Sequence, residues 1–433
     1  MNLRFSKWFF LLLVVSLPLI RPFSMYFSGM LLPYTDFIFL TVFAFWMIAV
    51  IRQETTVRID RLYLFVGLYA LAFTVSTVFS VDPKTSFIKL LGEYYLFGLC
   101  FVTFNLVRDT QFLKRVIAAW TIGTGLTVLA SVAGFVLYFL GYKTQLDNYF
   151  LFHFGSLPAG NYPRILALFA NPNMLCNFLN VSIMFVLVAE RLRWIKRTFA
   201  VILVAGILFA AAFSISPGLG GVALSLGLWF WAIFSFRSKI RFALPALAIG
   251  VILAIAVFTS ALISPDTDNT SQDFTIPFIE KTIEPSVRVL LWENTLETVR
   301  QYPWLGIGTG VDVANIRYHA LSGGDQVLTD AHNMWLNIAA QTGLLGLTAL
   351  MVLLVYLVTL CRFRITDADD GQYIRIAFSC AFVGAFLYQG LAGSFEDTRH
   401  LWILVGLLVG SSVYDFDIPT KDLPDEPDST LRA

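Results

Sequence analysis

A histidine stands where a polar stretch meets a long apolar run. The sequence Asp-Ala-His-Asn at 330–333 opens the apolar segment Met334–Leu360, which contains Gly-Leu-Leu-Gly at 343–346. The ordinary pKa of imidazole lies near neutral pH, so His332 could remove a proton from an alcohol as a general base. Histidines at helix starts also serve as interfacial or capping residues, and that interpretation stays open.

The spacing after this histidine suits a helix whose small face another helix can approach. At 3.6 residues per turn, His332, Leu336, Ala339, Gly343 and Gly346 fall on one stripe of a continuous helix. The pattern predicts a proton-handling group at a membrane surface.

Two arginines have unusually apolar surroundings. Arg164 lies where a polar loop turns into an apolar run, and Arg288 lies in Ser-Val-Arg-Val-Leu-Leu-Trp at 286–292. A buried guanidinium near lipid is costly unless it meets an anion, and its fork of donors matches phosphate oxygens. Contact with lipid headgroups is the competing interpretation.

Other polar positions are less specific. Asn-Pro-Asn at 171–173 predicts a capped helix start, with direct ligand contact by Asn173 as the alternative. Gly-Ile-Gly-Thr-Gly at 306–310 follows no predicted strand, which favours a turn over a nucleotide-binding loop. Glu396 and Asp397 could orient an imidazole, hold a sugar hydroxyl or simply be solvated.

Nothing in the sequence indicates a metal or cofactor site. The four cysteines show no CxxC or CxxH spacing, and Asp266 and Asp268 have no further ligands at a suitable spacing. We predict neither a metal nor a cofactor.

Composition identifies the class of protein. Hydrophobic residues make up 57% of the 433 residues and charged residues only 14%, and the mean hydropathy is +0.73. Such a chain is far more apolar than a soluble domain. Its recurrent apolar runs of about 17–25 residues satisfy their backbone hydrogen bonds in lipid only as helices. The predicted fold is an all-α, polytopic membrane protein.

Twelve transmembrane helices are predicted, and the first is an uncleaved helix because no small-residue cleavage site follows it. The predicted spans are 8–27, 34–51, 61–81, 85–107, 114–140, 170–190, 198–214, 217–236, 242–263, 333–361, 373–392 and 400–415.

Most of the 30 Lys and Arg residues fall on one side of this arrangement, so the positive-inside rule places both termini in the cytoplasm. The chain then divides into 1–263, with helices one to nine and the outer loop 141–169; the large outer loop 264–332; helices ten to twelve in 333–415; and a cytoplasmic tail, 416–433. Within the large loop, a helix is predicted at 287–300 and a second, short helix at about 312–321.

These motifs together resemble the O-antigen ligase family, within the wider superfamily of O-antigen ligases and polymerases. The similarity lies in the His-Asn pair followed by Gly343-x-x-Gly346, in Arg164 with the Asn-Pro-Asn at 171–173, and in Arg288 with Trp292, Pro303 and Gly306-x-Gly308. The topology, with a large outer loop before the histidine helix, is also similar.

The resemblance implies a GT-C-like glycosyltransferase of the bacterial inner membrane that works on the periplasmic face in lipopolysaccharide biosynthesis. It would move O-antigen polysaccharide from undecaprenyl pyrophosphate to a sugar hydroxyl of the lipid A core, with His332 as base and Arg164 and Arg288 binding the pyrophosphate. The supporting residues would be Asn173, Trp292, Asn333, Glu396 and Asp397.

Three alternatives stay open. An O-antigen polymerase would use a second lipid-linked repeat as acceptor, and a peptidoglycan polymerase would use a lipid-linked disaccharide peptide. A transporter or flippase for lipid-linked sugars would have a similar number of spans, although its polar residues are expected near the midplane rather than at the outer rim.

Overall fold

The computed structural model is almost entirely helical. It describes residues 1–20, 24–27, 30–140, 151–152, 164–214, 216, 218–236, 240–260, 263–264, 274–275, 282–285, 287–319, 325–361, 370–392, 398–414 and 416. The helices are α1 Asn2–Ser16, α2 Tyr34–Ile51, α3 Leu62–Val78, α4 Pro83–Leu106, α5 Thr110–Phe139, α6 Pro172–Arg191, α7 Arg197–Phe213, α8 Gly218–Phe236, α9 Ile240–Ser260, α10 Val287–Gln301, α11 Met334–Leu360, α12 Asp370–Ala392 and α13 Arg399–Val413.

Short antiparallel strands lie between some of these helices. They are β1 Ser24–Phe27 with β2 Met30–Pro33, β3 Leu151–Phe152 with β4 Arg164–Ile165, β7 Thr282–Pro285 between β5 Ile263–Ser264 and β6 Phe274–Thr275, and β8 Ile316–His319 with β9 Asp325–Leu328.

Two kinds of helix build the bundle. In α6 and α13 most side chains are buried. By contrast, α2, α5 and α9 turn large apolar side chains outward, for example Leu40, Leu129 and Ile252, which are 59–67% exposed. An apolar exterior of this kind suits lipid and not water. The protein is a multi-pass membrane protein.

Each predicted span overlaps an observed helix. Six helices in the described part of the chain are long and apolar enough to cross a membrane by length and composition: α2, α4, α5, α6, α8 and α11. Four further apolar helices are 10–17 residues long. The total of twelve spans therefore stays a prediction.

The first span was predicted wrongly as 8–27. The observed α1 covers Asn2–Ser16, and residues Ser24–Phe27 form a strand that pairs with Met30–Pro33. Pro18 explains the early end, because a proline ring lacks the N–H that a helix interior requires and clashes with the preceding turn.

The predicted short helix at 312–321 is also wrong. Residues Ile316–His319 form strand β8, and Ile316 pairs with Leu328 of β9. Ile316 and Tyr318 alternate with polar residues before Gly323-Gly324, a pattern typical of hairpin strands. By contrast, the helix predicted at 287–300 is confirmed as α10, Val287–Gln301.

Candidate active site

His332 lies in a tight turn just before α11 and is held by Asp330. The ring nitrogen Nδ1 is 2.8 Å from Oδ1 of Asp330, and the same oxygen accepts the backbone N–H of His332. The backbone of His332 has a positive φ of 47°. When Nδ1 carries the ring proton and donates a hydrogen bond to Asp330, the neutral ring keeps its basic lone pair on Nε2. The His332 side chain is 39% exposed, so a substrate can reach it.

Three side chains hold this turn in place. Trp292 of α10 donates from Nε1 to the carbonyl oxygen of Ala331 at 2.9 Å, and Asn337 accepts the N–H of Ala331 at 2.9 Å. Asn333 caps α11 by accepting from the backbone N–H groups of Trp335 and Leu336. Trp292 and Asn333, both predicted as supporting residues, thus position the imidazole from either side.

Asp330 carries a negative charge next to the imidazole. Burial opposes ionisation of this carboxyl, but the hydrogen bonds and the charge of His332 outweigh that effect and hold the pKa of Asp330 below its usual range. An ionised carboxylate on Nδ1 stabilises the imidazolium that forms when Nε2 takes up a proton. The pair has the geometry of a general base with its orienting group.

Arg164 and Arg288 lie close to each other. Nε of Arg164, in β4, donates to the carbonyl oxygen of Ser214 at 2.6 Å. Burial lowers the pKa of Arg164, and the positive charge of Arg288 lowers it further. Burial also lowers the pKa of Arg288, while the charge of Asp330 raises it. Both side chains stay cationic, because arginine is not deprotonated in proteins.

Arg288 therefore connects the arginines to the histidine. It interacts with Arg164 on one side and with Asp330, the partner of His332, on the other. The structure brings the three predicted residues into one region, although they lie far apart in the sequence. Two neighbouring guanidinium groups repel each other, and a polyanion between them would remove that repulsion.

Tyr388 of α12 joins this cluster and was missed in the sequence. It is 1% exposed, and its hydroxyl interacts electrostatically with Arg164 and Arg288. The hydroxyl of Ser216 lies 3.4 Å from that of Tyr388 and donates to Oδ1 of Asn173 at 2.6 Å. Asn173 thus belongs to the surroundings of the arginines, while Asn171 caps α6 by accepting from Met174, as predicted for this sequence.

The α11 helix is broken at Gly343, so the predicted stripe from His332 to Gly346 is wrong. Gly343 has φ 67° and ψ −167°, and His332 precedes the helix. A break frees carbonyl oxygens before it and N–H groups after it, which need other partners in an apolar environment. The segment 303–308, just after α10, supplies them.

Four backbone hydrogen bonds join this segment to the break: Ile307 to Ala340 at 2.9 Å, Gly308 to Gln341 at 3.1 Å, Leu344 to Pro303 at 2.8 Å and Leu345 to Trp304 at 3.2 Å. The two backbones lie so close together that a side chain has no room at the glycine positions between them. A Cβ on Gly306 would lie 2.2 Å from the carbonyl group of Gln341, and one on Gly343 would lie 2.3 Å from that of Trp304. The Gly306-x-Gly308 motif after α10 and the Gly343-x-x-Gly346 motif of α11 therefore interlock and fix Trp292 relative to His332.

Glu396 and Asp397 lie outside the described residues. Their neighbour Arg399 pairs with both carboxylate oxygens of Asp36, at 2.7 and 2.8 Å, and His400 is buried with Nε2 2.7 Å from Oδ1 of Asn177. Within the described residues the carboxylate that contacts His332 is Asp330.

Among the described residues, no group of three or more His, Cys, Asp or Glu side chains could hold a metal ion. The metal-independent reaction stays a prediction.

Comparison with known proteins finds one similar family. Residues 199–351 match the family model described as O-antigen ligase, and this region contains Arg288, Trp292, His332 and both interlocking glycine motifs. Arg164 lies before the matched region. No curated protein matches the chain. The match supports the family that the motifs indicated: over residues 199–351 the chain is similar to the O-antigen ligase family.

Proposed function

We propose that the protein transfers O-antigen polysaccharide from undecaprenyl pyrophosphate to a sugar hydroxyl of the lipid A core. The reaction would take place on the periplasmic face of the inner membrane. The observation that supports this proposal most directly is the arrangement of Arg288, which interacts with both Arg164 and the Asp330–His332 pair. A site for a polyanion thus adjoins a general base.

The donor suits the two arginines. Its leaving group is a pyrophosphate, and negative charge grows on the departing oxygen as the glycosidic bond breaks. Arg164 and Arg288 would bind the phosphate oxygens through their planar donor forks. The Tyr388 hydroxyl, which is buried beside them, could donate one further hydrogen bond. These donors are held in place before the reaction, which favours stabilisation of developing charge.

The acceptor suits the histidine. Nε2 of His332 would take the proton of the attacking sugar hydroxyl while the hydroxyl oxygen forms a bond to the anomeric carbon. The bond from that carbon to the pyrophosphate oxygen breaks, and undecaprenyl pyrophosphate leaves with the electron pair. Asp330 stabilises the imidazolium until the proton is released. Direct displacement inverts the anomeric centre, so a product that keeps the donor configuration would contradict this mechanism.

The decisive experiment supplies labelled lipid-linked polysaccharide to the purified protein in proteoliposomes with a chelator present. One reaction contains lipid A core, a second contains only another lipid-linked repeat unit, and a third contains no acceptor. We expect labelled product only in the reaction that contains lipid A core. Product from the second reaction would instead identify a polymerase, and passage of donor across the bilayer without transfer would identify a transporter.

Variants connect the activity to the site. His332→Ala should abolish transfer while the protein stays folded in the membrane, whereas His319→Ala, in β8, removes another outer histidine and should retain activity. Normal turnover of His332→Ala would remove this residue from the mechanism.

A further inference from the structure

A groove between α1 and α5 lies outside the candidate active site. Its volume is about 1020 Å³, and apolar side chains of both helices, including Leu11, Leu12 and Ile122, line its walls. Basic side chains line it as well, namely Arg4 and Lys7 of α1 and Arg115 of α5. The groove therefore combines an apolar channel with a cationic end.

Helix geometry separates these two parts. Leu11 follows Arg4 by seven residues and Ile122 follows Arg115 by seven residues, which places the apolar walls ~10 Å deeper along both helices. Trp8, which is 59% exposed, lies between the two levels on α1. Tryptophan favours the headgroup region of a bilayer, so the cationic end lies at a membrane surface. The charge pattern of the chain assigns that surface to the cytoplasmic side.

The two helices approach each other at the far end of the groove. A Cβ on Gly123 of α5 would lie 3.0 Å from the carbonyl oxygen of Val15 of α1. Val15 also lines the groove. The helices thus touch beyond the apolar walls.

Most acidic groups near the groove already have partners. Asp109 pairs with Lys7 at 3.0 Å, and Glu54 accepts hydrogen bonds from Nδ2 of Asn2 and the backbone N–H of Leu3. Arg4 and Arg115 are exposed, and no carboxylate in the part of the chain that the structure describes forms an ion pair with either. These two guanidinium groups leave the end of the groove positively charged.

We propose that this groove binds an anionic glycerophospholipid of the cytoplasmic leaflet, with its phosphate between Arg4 and Arg115 and an acyl chain along Leu11, Leu12 and Ile122. Guanidinium groups bind phosphate through paired donors, and basic pockets between transmembrane helices on the cytoplasmic side bind anionic headgroups. A zwitterionic lipid would place its own cation near the arginines and would bind less well.

Native mass spectrometry of the full-length protein tests the proposal. The protein is released from nanodiscs that contain equal amounts of phosphatidylglycerol and phosphatidylcholine, and the lipid that stays bound is identified. We expect selective retention of phosphatidylglycerol. The double variant Arg4→Gln/Arg115→Gln should weaken that retention roughly 30-fold, which corresponds to about 1 kcal/mol for each of the two cations.

Two controls separate the site from general attraction. Lys196→Gln/Arg197→Gln removes two exposed cations from the predicted cytoplasmic side, away from the groove, and should leave retention unchanged. Ala118→Trp fills the groove without a change in charge and should remove the bound lipid. Each variant is used only if its elution volume and circular dichroism match the wild-type protein.

Equal retention of both lipids, or unchanged retention in the Arg4→Gln/Arg115→Gln protein, would mean that the groove holds bulk lipid only and would overturn the proposal. Displacement of phosphatidylglycerol by an equimolar amount of polyprenyl phosphate would identify a different occupant and would also overturn it. Because the groove lies apart from His332, loss of lipid binding and loss of glycosyl transfer are measured independently.

Discussion

Leu344 donates its backbone N–H to the carbonyl oxygen of Pro303 at 2.8 Å, across the point where the hydrogen bonds of α11 are interrupted. Without this contact and its neighbours, the break at Gly343 would leave backbone polar groups unpaired among apolar side chains. Each such group costs several kcal/mol in lipid. The break and the segment after α10 therefore stabilise each other.

Gly343→Ala should destabilise the protein by about 2–4 kcal/mol, because the conformation at Gly343 is nearly exclusive to glycine and the added carbon has no room. Chemical unfolding in detergent micelles measures the effect. Gly125→Ala is the control, since its Cβ would meet nothing within 4 Å, and it should change stability by less than about 1 kcal/mol. Equal stability of both variants would contradict the interlocked arrangement.

The sequence predicts the helices better than it predicts the contacts between them. Apolar runs identify the segments Tyr34–Ile51 and Met334–Leu360 because a helix in lipid needs a length of apolar chain. The same apolarity conceals the break, since Leu344 and Leu345 continue the run without interruption. The partners of the break come from Pro303 and Trp304, about forty residues earlier, and no local pattern connects them.

The sequence likewise predicts only some of the residues of the candidate site. Arg288 and His332 stand out because charged or titratable groups are rare beside apolar segments. Tyr388 does not stand out, because a tyrosine in an apolar run is ordinary at a membrane interface. Its proximity to the arginines depends on how α12 packs. Asp330 was visible beside His332, but only the turn with positive φ at His332 brings its carboxylate to Nδ1.

Asp330→Asn should lower the turnover number about 10²- to 10⁴-fold with little change in the KM for the donor, if His332 is the general base. The amide keeps the shape of the side chain but neither carries the charge that stabilises the imidazolium nor favours the same tautomer. Steady-state transfer assays measure the change. Asp312→Asn, an exposed position, is the matched control; equal turnover of wild type and Asp330→Asn would exclude the orienting role.

The ionised Asp330 should also make stability depend on pH. Its pKa is lower in the folded state than in the unfolded chain, so the folded state binds fewer protons. The carboxylate of Asp330 makes its full contribution to folding stability above the ordinary carboxyl pKa of about 4. This contribution is lost as the pH falls through the lower pKa of the folded state. The difference in melting temperature between wild type and Asp330→Asn, measured from pH 5 to pH 3, should therefore shrink below pH 4. A constant difference down to pH 3 would show that the carboxylate charge is not responsible.

Arg288→Ala should lower kcat/KM for the lipid-linked donor. The loss should correspond to about 2–5 kcal/mol of transition-state free energy, because the buried pyrophosphate loses a cationic partner. Arg288→Lys should restore activity only in part, since lysine lacks the planar fork. Arg300→Lys, at the exposed end of the same helix, should be neutral.

A double-mutant cycle then tests whether the two arginines bind one ligand. Arg164→Ala combined with Arg288→Ala should cost less than the sum of the two single variants, as expected for groups that act on the same pyrophosphate. Strict additivity would place the two guanidinium groups on separate ligands.

Tyr388→Phe removes one buried hydroxyl. It should weaken binding of the leaving group and leave folding almost unchanged. A hydrogen bond to a charged group contributes about 1.5–3 kcal/mol, so kcat/KM for the donor should fall roughly 10- to 150-fold. Stability should change by no more than about 1 kcal/mol, because the hydrogen bond between this hydroxyl and that of Ser216 is long, at 3.4 Å. Tyr94→Phe removes a hydroxyl that bonds Thr74 at 2.8 Å, away from the arginines, and serves as the control. If both variants transfer polysaccharide at the wild-type rate, Tyr388 only packs beside the arginines and does not bind the donor.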